Sequence, residues 1–108
     1  MPSSLPTNWR SLDAKPDVRD GFVAELRKEC GEGHRLAARE AECFAKCDGC
    51  DRAVFALDHD EWALVHLTWI REGPEIDPRW PTVEALGTWP EVLEAMREHS
   101  QRYDVGQA

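Results

Sequence analysis

The stretch from Ala53 to Ile70, AVFALDHDEWALVHLTWI, constrains the fold more than any other part of the chain. Two apolar runs flank the tip Asp58-His59-Asp60-Glu61. Val, Phe, Leu and Trp at this density suit a pleated, half-buried surface, and a polar tip between them is hairpin-loop chemistry. Strands are therefore expected over 52–57 and 61–70. In the second strand Trp62, Leu64, His66 and Thr68 share one face, while Ala63, Val65, Leu67 and Trp69 share the other. The wholly apolar set is the natural core. His66 is the one residue of the hairpin whose chemistry packing does not explain.

The flanking segments extend this sheet. Between Leu36 and Lys46 the alanines favour helix, yet Ala41, Cys43, Ala45 and Cys47 fall on one face of a strand, opposite Glu40, Glu42 and Lys46. Asp48-Gly49 follows, a strong hairpin-turn signal, and decides for strand. Val83–Leu86 reads as a short edge strand. A helix is expected from Pro16 to Glu29 or Cys30. Pro16 suits its first turn, Asp17 and Asp20 its positive end, and Gly31 its stop. Its apolar stripe is Val18, Phe22, Leu26 and Cys30. Thr88-Trp89-Pro90-Glu91 is a capping box that opens a second helix running to about Tyr103. Pro74, Pro78 and Pro81 make the segment Glu72–Pro81 a loop. The expectation is a single α+β domain over residues 9–103, with tails at 1–8 and 104–108. An N-terminal helix, a three- to four-stranded antiparallel meander and a capped C-terminal helix would form two layers. Both helices would cover one sheet face and leave the other open.

Charge and composition exclude several functions. With 21 acidic and 13 basic side chains the chain carries a net charge of -8, and no Lys/Arg cluster is present. Nucleic acid and anionic membranes are therefore rejected as ligands. No apolar run approaches the ~20 residues of a membrane span, and the N-terminus lacks signal-peptide character. A cytoplasmic location is expected, where four cysteines are thiols or metal ligands rather than disulfides.

Val65-His66-Leu67-Thr68-Trp69, followed by the loop Asp77-Pro78-Arg79-Trp80-Pro81 and a C-terminal helix, resembles a family of small uncharacterised bacterial proteins. The likeness spans Leu26 to Met96, and the His-Leu-Thr-Trp strand is its most specific part. It implies no activity.

Three constellations carry chemistry. Cys47 and Cys50 bracket a tight turn, so their thiolates can converge on zinc. Cys30 and His34 offer a second pair to complete a three-Cys, one-His site. The plain alternative is an Asp-Gly hairpin that happens to be flanked by cysteines. Trp62, His66 and Thr68 form a mixed face that could bind a small molecule or let His66 act as a general base, but a histidine satisfied by its neighbours is the preferred reading, since no nucleophile or oxyanion arrangement accompanies it. Arg79 and Trp80 on the proline-stiffened loop are residue types favoured at protein interfaces, unless Trp80 folds back on the sheet. The leading expectation is a non-catalytic acidic interaction module of the inhibitor or immunity type. It would meet a protein partner, or a second copy of itself, through the open sheet face. A small-molecule or zinc-binding protein and a small enzyme using His66 are the alternatives.

Overall fold

The computed structural model describes residues 5, 6, 8–31, 33–69 and 81–107, with backbone alone over 102–107. Arg79 and Trp80, and most of the proline-rich loop, lie outside the described residues. The elements are β1 (Trp9–Ser11), α1 (Pro16–Glu29), β2 (Ala41–Cys47), β3 (Arg52–Leu57), a 3-10 turn (Asp58–Asp60), β4 (Trp62–His66), β5 (Thr82–Gly87) and α2 (Trp89–Gln107). The strands form an antiparallel sheet in the order β1-β2-β3-β4-β5.

The hairpin of β3 and β4 is the centre of the sheet, in the register Val54↔Leu64 and Phe55↔Ala63. Both of its faces are buried. Phe55, Ala53, Ala63, Val65 and Leu67 pack with Leu26 of α1, whereas Val54 and Leu64 pack with Val92 and Met96 of α2. The two helices therefore sit on opposite faces, and the domain has three layers instead of two. The expectation of one open face, whichever set of side chains it bore, is corrected: α1 covers the face of Phe55 and Val65, and α2 covers the face of Val54 and Leu64. Trp62 and Trp89 pack there with ring centroids 4.7 Å apart and planes tilted by 59°, and Phe44 meets both edge-on. Such aromatic area is too costly to leave in water.

Three further departures have local causes. The three-residue β1 was not legible in the sequence, because Trp9-Arg10-Ser11 is too short to show alternation. It pairs Trp9 with Cys47 at the sheet edge. Strand β4 ends at His66, short of 70. Leu67 N–H still bonds Asp51 O, at 3.0 Å, but the next two N–H groups are taken by Glu29 and Trp69 turns to a φ of 59°. Helix α2 continues to Gln107, past the expected end at Tyr103.

A β-bulge in β2 redistributes side chains between the two cores. The register steps from Cys43↔Phe55 to Ala45↔Val54, leaving Phe44 as the extra residue. Strict alternation would put Ala41, Cys43, Ala45 and Cys47 on one face. The bulge splits the set: Ala41 and Cys43 stay with the α1 core, and Ala45 and Cys47 cross to the α2 core. It also keeps Lys46 out of the α2 side, at the rim 3.7 Å from Asp48, where its charge stays hydrated.

Trp9 locks α2 over the sheet by donating its indole N–H to Met96 O at 3.2 Å within the core. Trp9→Phe keeps most of the ring area and leaves that carbonyl without its partner. The expected loss is about 1 kcal/mol, read as a lower urea midpoint at unchanged m-value.

Candidate metal centre

Cys47 closes β2, Cys50 stands at the far corner of the following turn, and His99 lies in α2. The turn is held from several sides. Gly49 takes a φ of 92°, a backbone conformation that costs a side chain-bearing residue energy. Asp48 N–H bonds Asn8 O at 2.6 Å, and Arg10 donates to the Asp48 carboxylate at 2.6 Å. On α2, Val92, Met96 and His99 follow one another at spacings of four and three, so the histidine continues the buried stripe. The Trp9 ring meets the imidazole edge-on at 5.7 Å.

The result is a convergence of three ligand atoms. Cys47 Sγ and Cys50 Sγ each lie 3.4 Å from His99 Nε2, and all three atoms fall within 4.8 Å of one another. Tetrahedral zinc with Zn–S of about 2.3 Å and Zn–N of about 2.05 Å has S···N edges of roughly 3.6 Å and S···S edges of roughly 3.8 Å. The spacing fits. A neutral imidazole nitrogen has one lone pair and can accept one S–H bond, so two sulfurs equidistant from it make sense around a shared ion. Cys47 is 1% and His99 8% exposed, while Cys50 is half-buried and gives the site its access to solvent.

Electrostatics set a cost on such binding. Burial, reinforced by the neighbouring Cys50, pushes the Cys47 thiol up to about 12. Such a thiol stays protonated unless a cation sits against it, and a bound divalent ion reverses that preference. The soft S₂N donor set suits zinc or a similar thiophilic ion. Arg52 stands against Cys50 and acts on Cys47 as well, so an adjacent cation is present that favours thiolate at this turn.

The other sequence candidates are distributed elsewhere. Cys30 and His34 lie on the α1 side, across the sheet from Cys47 and Cys50, so the four cannot share one ion. His34 is a satisfied structural histidine. Its Nδ1 accepts from Leu36 N–H at 3.0 Å, which makes Nε2 the protonated nitrogen that donates to Pro81 O at 2.7 Å. Burial pushes the Cys30 thiol up to about 11 and the Cys43 thiol up to about 12. Trp62 belongs to the aromatic cluster under α2. His66 is half-buried between Arg52 and Thr82 on the adjacent strands. Thr68 gives its N–H to Glu29. The acidic tip is held by Arg39, which bonds the Asp58 carboxylate and Glu61 Oε1.

His99 was absent from the sequence expectation. Its one signal was a histidine on the apolar stripe of α2, but nothing ties it to Cys47, 52 positions away, until α2 is laid on its sheet face. Comparison with protein-family models, curated proteins and solved structures gives no match.

Proposed function

We propose that this chain is a metal-binding protein that holds one zinc-class ion through Cys47 Sγ, Cys50 Sγ and His99 Nε2. The observation that carries the reading is the convergence of these three atoms, from a turn and a distant helix, to within 4.8 Å of one another. Bound there, the ion supplies a positive charge against two thiolates and clasps α2 to the β2–β3 turn. Three protein ligands also leave one coordination position for water or another donor. Cobalt is the direct probe. One equivalent should give thiolate-to-cobalt absorption and tetrahedral d–d bands that zinc then bleaches, with one ion per chain by elemental analysis. Cys50→Ser should weaken binding about a hundredfold or more, since it removes an anionic ligand. A chain purified and titrated under reducing conditions that takes up neither ion overturns the reading.

An exposed tryptophan supports a second reading, an interaction role with a basic protein partner. Trp69 is 44% exposed in a left-handed backbone conformation, packed edge-on against Phe22 at 5.3 Å. Backbone strain of that kind collects at binding segments, and a net charge of -8 complements a basic surface. Trp69→Ala should abolish a salt-sensitive complex while leaving metal uptake unchanged.

A further inference from the structure

The same turn has a chemistry that needs no metal. Cys47 and Cys50 are the first and last residues of a four-residue turn, whose end Cα atoms lie under about 7 Å apart. A disulfide spans Cα separations of roughly 4.4–6.8 Å. Their sulfurs already lie within 4.8 Å on the same side of the turn, both as free thiols. One is reachable and the other is held in reserve: Cys50 is half-buried, whereas Cys47 is enclosed beneath Trp9 and α2. His99 Nε2 stands 3.4 Å from both sulfurs, placed to receive the proton either one gives up.

We propose that Cys47 and Cys50 form an oxidation site for peroxide-class oxidants, closing to a disulfide that excludes the metal ion and so makes ion occupancy depend on redox state. In the first step Cys50 Sγ attacks one peroxide oxygen. The O–O bond breaks, the sulfur becomes a sulfenic acid, and the departing oxygen leaves as water with the thiol proton, passed through His99. In the second step Cys47 Sγ attacks the sulfenic sulfur, the S–S bond forms, and the sulfenic oxygen leaves as a second water. Two thiols lose two electrons and two protons, and the peroxide accepts them. The disulfide offers no thiolate, so only His99 of the three ligands survives oxidation. A thiol reductant restores the pair. The exclusion of metal rests on the metal-binding function proposed for this site; the disulfide itself does not.

The other two cysteines serve as internal controls. Cys30 and Cys43 sit on the opposite face of the sheet, so neither can resolve a sulfenic acid on Cys50. Cys43 is fully enclosed.

The test is titration of the full chain with hydrogen peroxide, both zinc-loaded and after removal of metal with a chelator. Thiols are counted after denaturation, the link is mapped by peptide mass, and released zinc is read with a chromogenic chelator. The expected result is a fall from the four thiols of the sequence to two, a single Cys47–Cys50 link, stoichiometric zinc release and full recovery with dithiothreitol. In Cys47→Ser the reaction should stop at a Cys50 sulfenic acid that a dimedone-type reagent traps. Four surviving thiols, or overoxidation of Cys50 without a link, overturn the oxidation site even where zinc binds normally. A chain that never takes up zinc yet forms the link overturns the metal reading and leaves the oxidation site standing.

Discussion

Zinc at a hundredfold excess over its dissociation constant is expected to stabilise the chain by about 2.7 kcal/mol. For a domain of 108 residues this corresponds to a rise of about 10 °C in Tm. Cys50→Ser and His99→Ala should lose that rise. The physical origin is linkage: the three ligands meet only once α2 has docked beside the β2–β3 turn, so the ion binds the folded chain in preference to the unfolded one. Cys50→Ser is the cleaner variant. Its side chain is half-buried and nearly isosteric, so the metal-free protein should melt close to the wild type and the difference should appear on adding zinc. His99→Ala also opens a hole beside Trp9 and lowers the metal-free Tm as well. Both thiols must shed protons to coordinate, so the zinc-induced shift should grow as pH rises. Thermal melts with and without zinc at two pH values check this, and equal zinc-induced shifts in wild type and Cys50→Ser would sink it.

The second large effect comes from a buried carboxyl pair on α1. Glu29 is 0% and Glu25 6% exposed, one helical turn apart, and their carboxyls share a hydrogen bond. Glu29 also accepts the N–H groups of Thr68 at 2.8 Å and Trp69 at 2.9 Å, which ties α1 to the end of β4. Burial first, then the Glu25 carboxyl, push Glu29 up to about 7 against the effect of those two bonds. Burial opposes charge on Glu25 too. The bond to Glu29 and the Lys28 ammonium at 2.8 Å outweigh it and hold Glu25 below the usual carboxylate range. Glu25 Oε2 is left buried without a hydrogen-bond partner.

A pair of this kind shares one proton, and the sign of its pH dependence follows. Glu29 binds its proton more tightly folded than unfolded. Its contribution is complete below the unfolded value of 4.5 and is lost as pH rises toward about 7. Stability should therefore fall by on the order of 2 kcal/mol between pH 5 and pH 8. Glu25, Asp48, Asp58 and Glu91 are all held below the usual range, so their contributions disappear at the acid end instead. In Glu25→Gln the amide donates to the Glu29 carboxylate without a shared proton, and the slope between pH 5 and pH 8 should flatten. Urea melts of both proteins across that range decide it. An equal slope in the variant, or stability that rises with pH in the wild type, removes the shared proton from the account.

Both effects lie in places where the sequence spoke only in part. The central hairpin was legible because alternation over β3 and β4 is written in adjacent residues. The helices were legible because Pro16 and the Thr88–Glu91 box mark their starts, and the Glu91 half of the box forms, with Thr88 N–H and Oγ1 both donating to Glu91 Oε1. The Cys47–Cys50 half of the centre was visible as a turn flanked by thiols. Spacing along the chain points to Cys30 and His34 as its partners, and the fold puts that pair on the wrong face. His99, which does converge, has no sequence relation to the turn. The buried Glu25–Glu29 pair gave no sequence signal either, since two glutamates one turn apart usually mark a solvated face.

What the sequence determined by itself is local: periodicity, turn chemistry, caps and charge, each set by residues within a few positions of one another. What only the tertiary structure decided is which side of the sheet each element meets. The bulge at Phe44 moves Cys47 from the α1 face to the α2 face, and the burial of Trp62 and Trp89 draws α2 onto the face that would otherwise be open. Register and facing depend on pairing between distant strands, where a shift of one residue exchanges the two faces. The metal centre exists because that exchange occurs between Cys43 and Ala45.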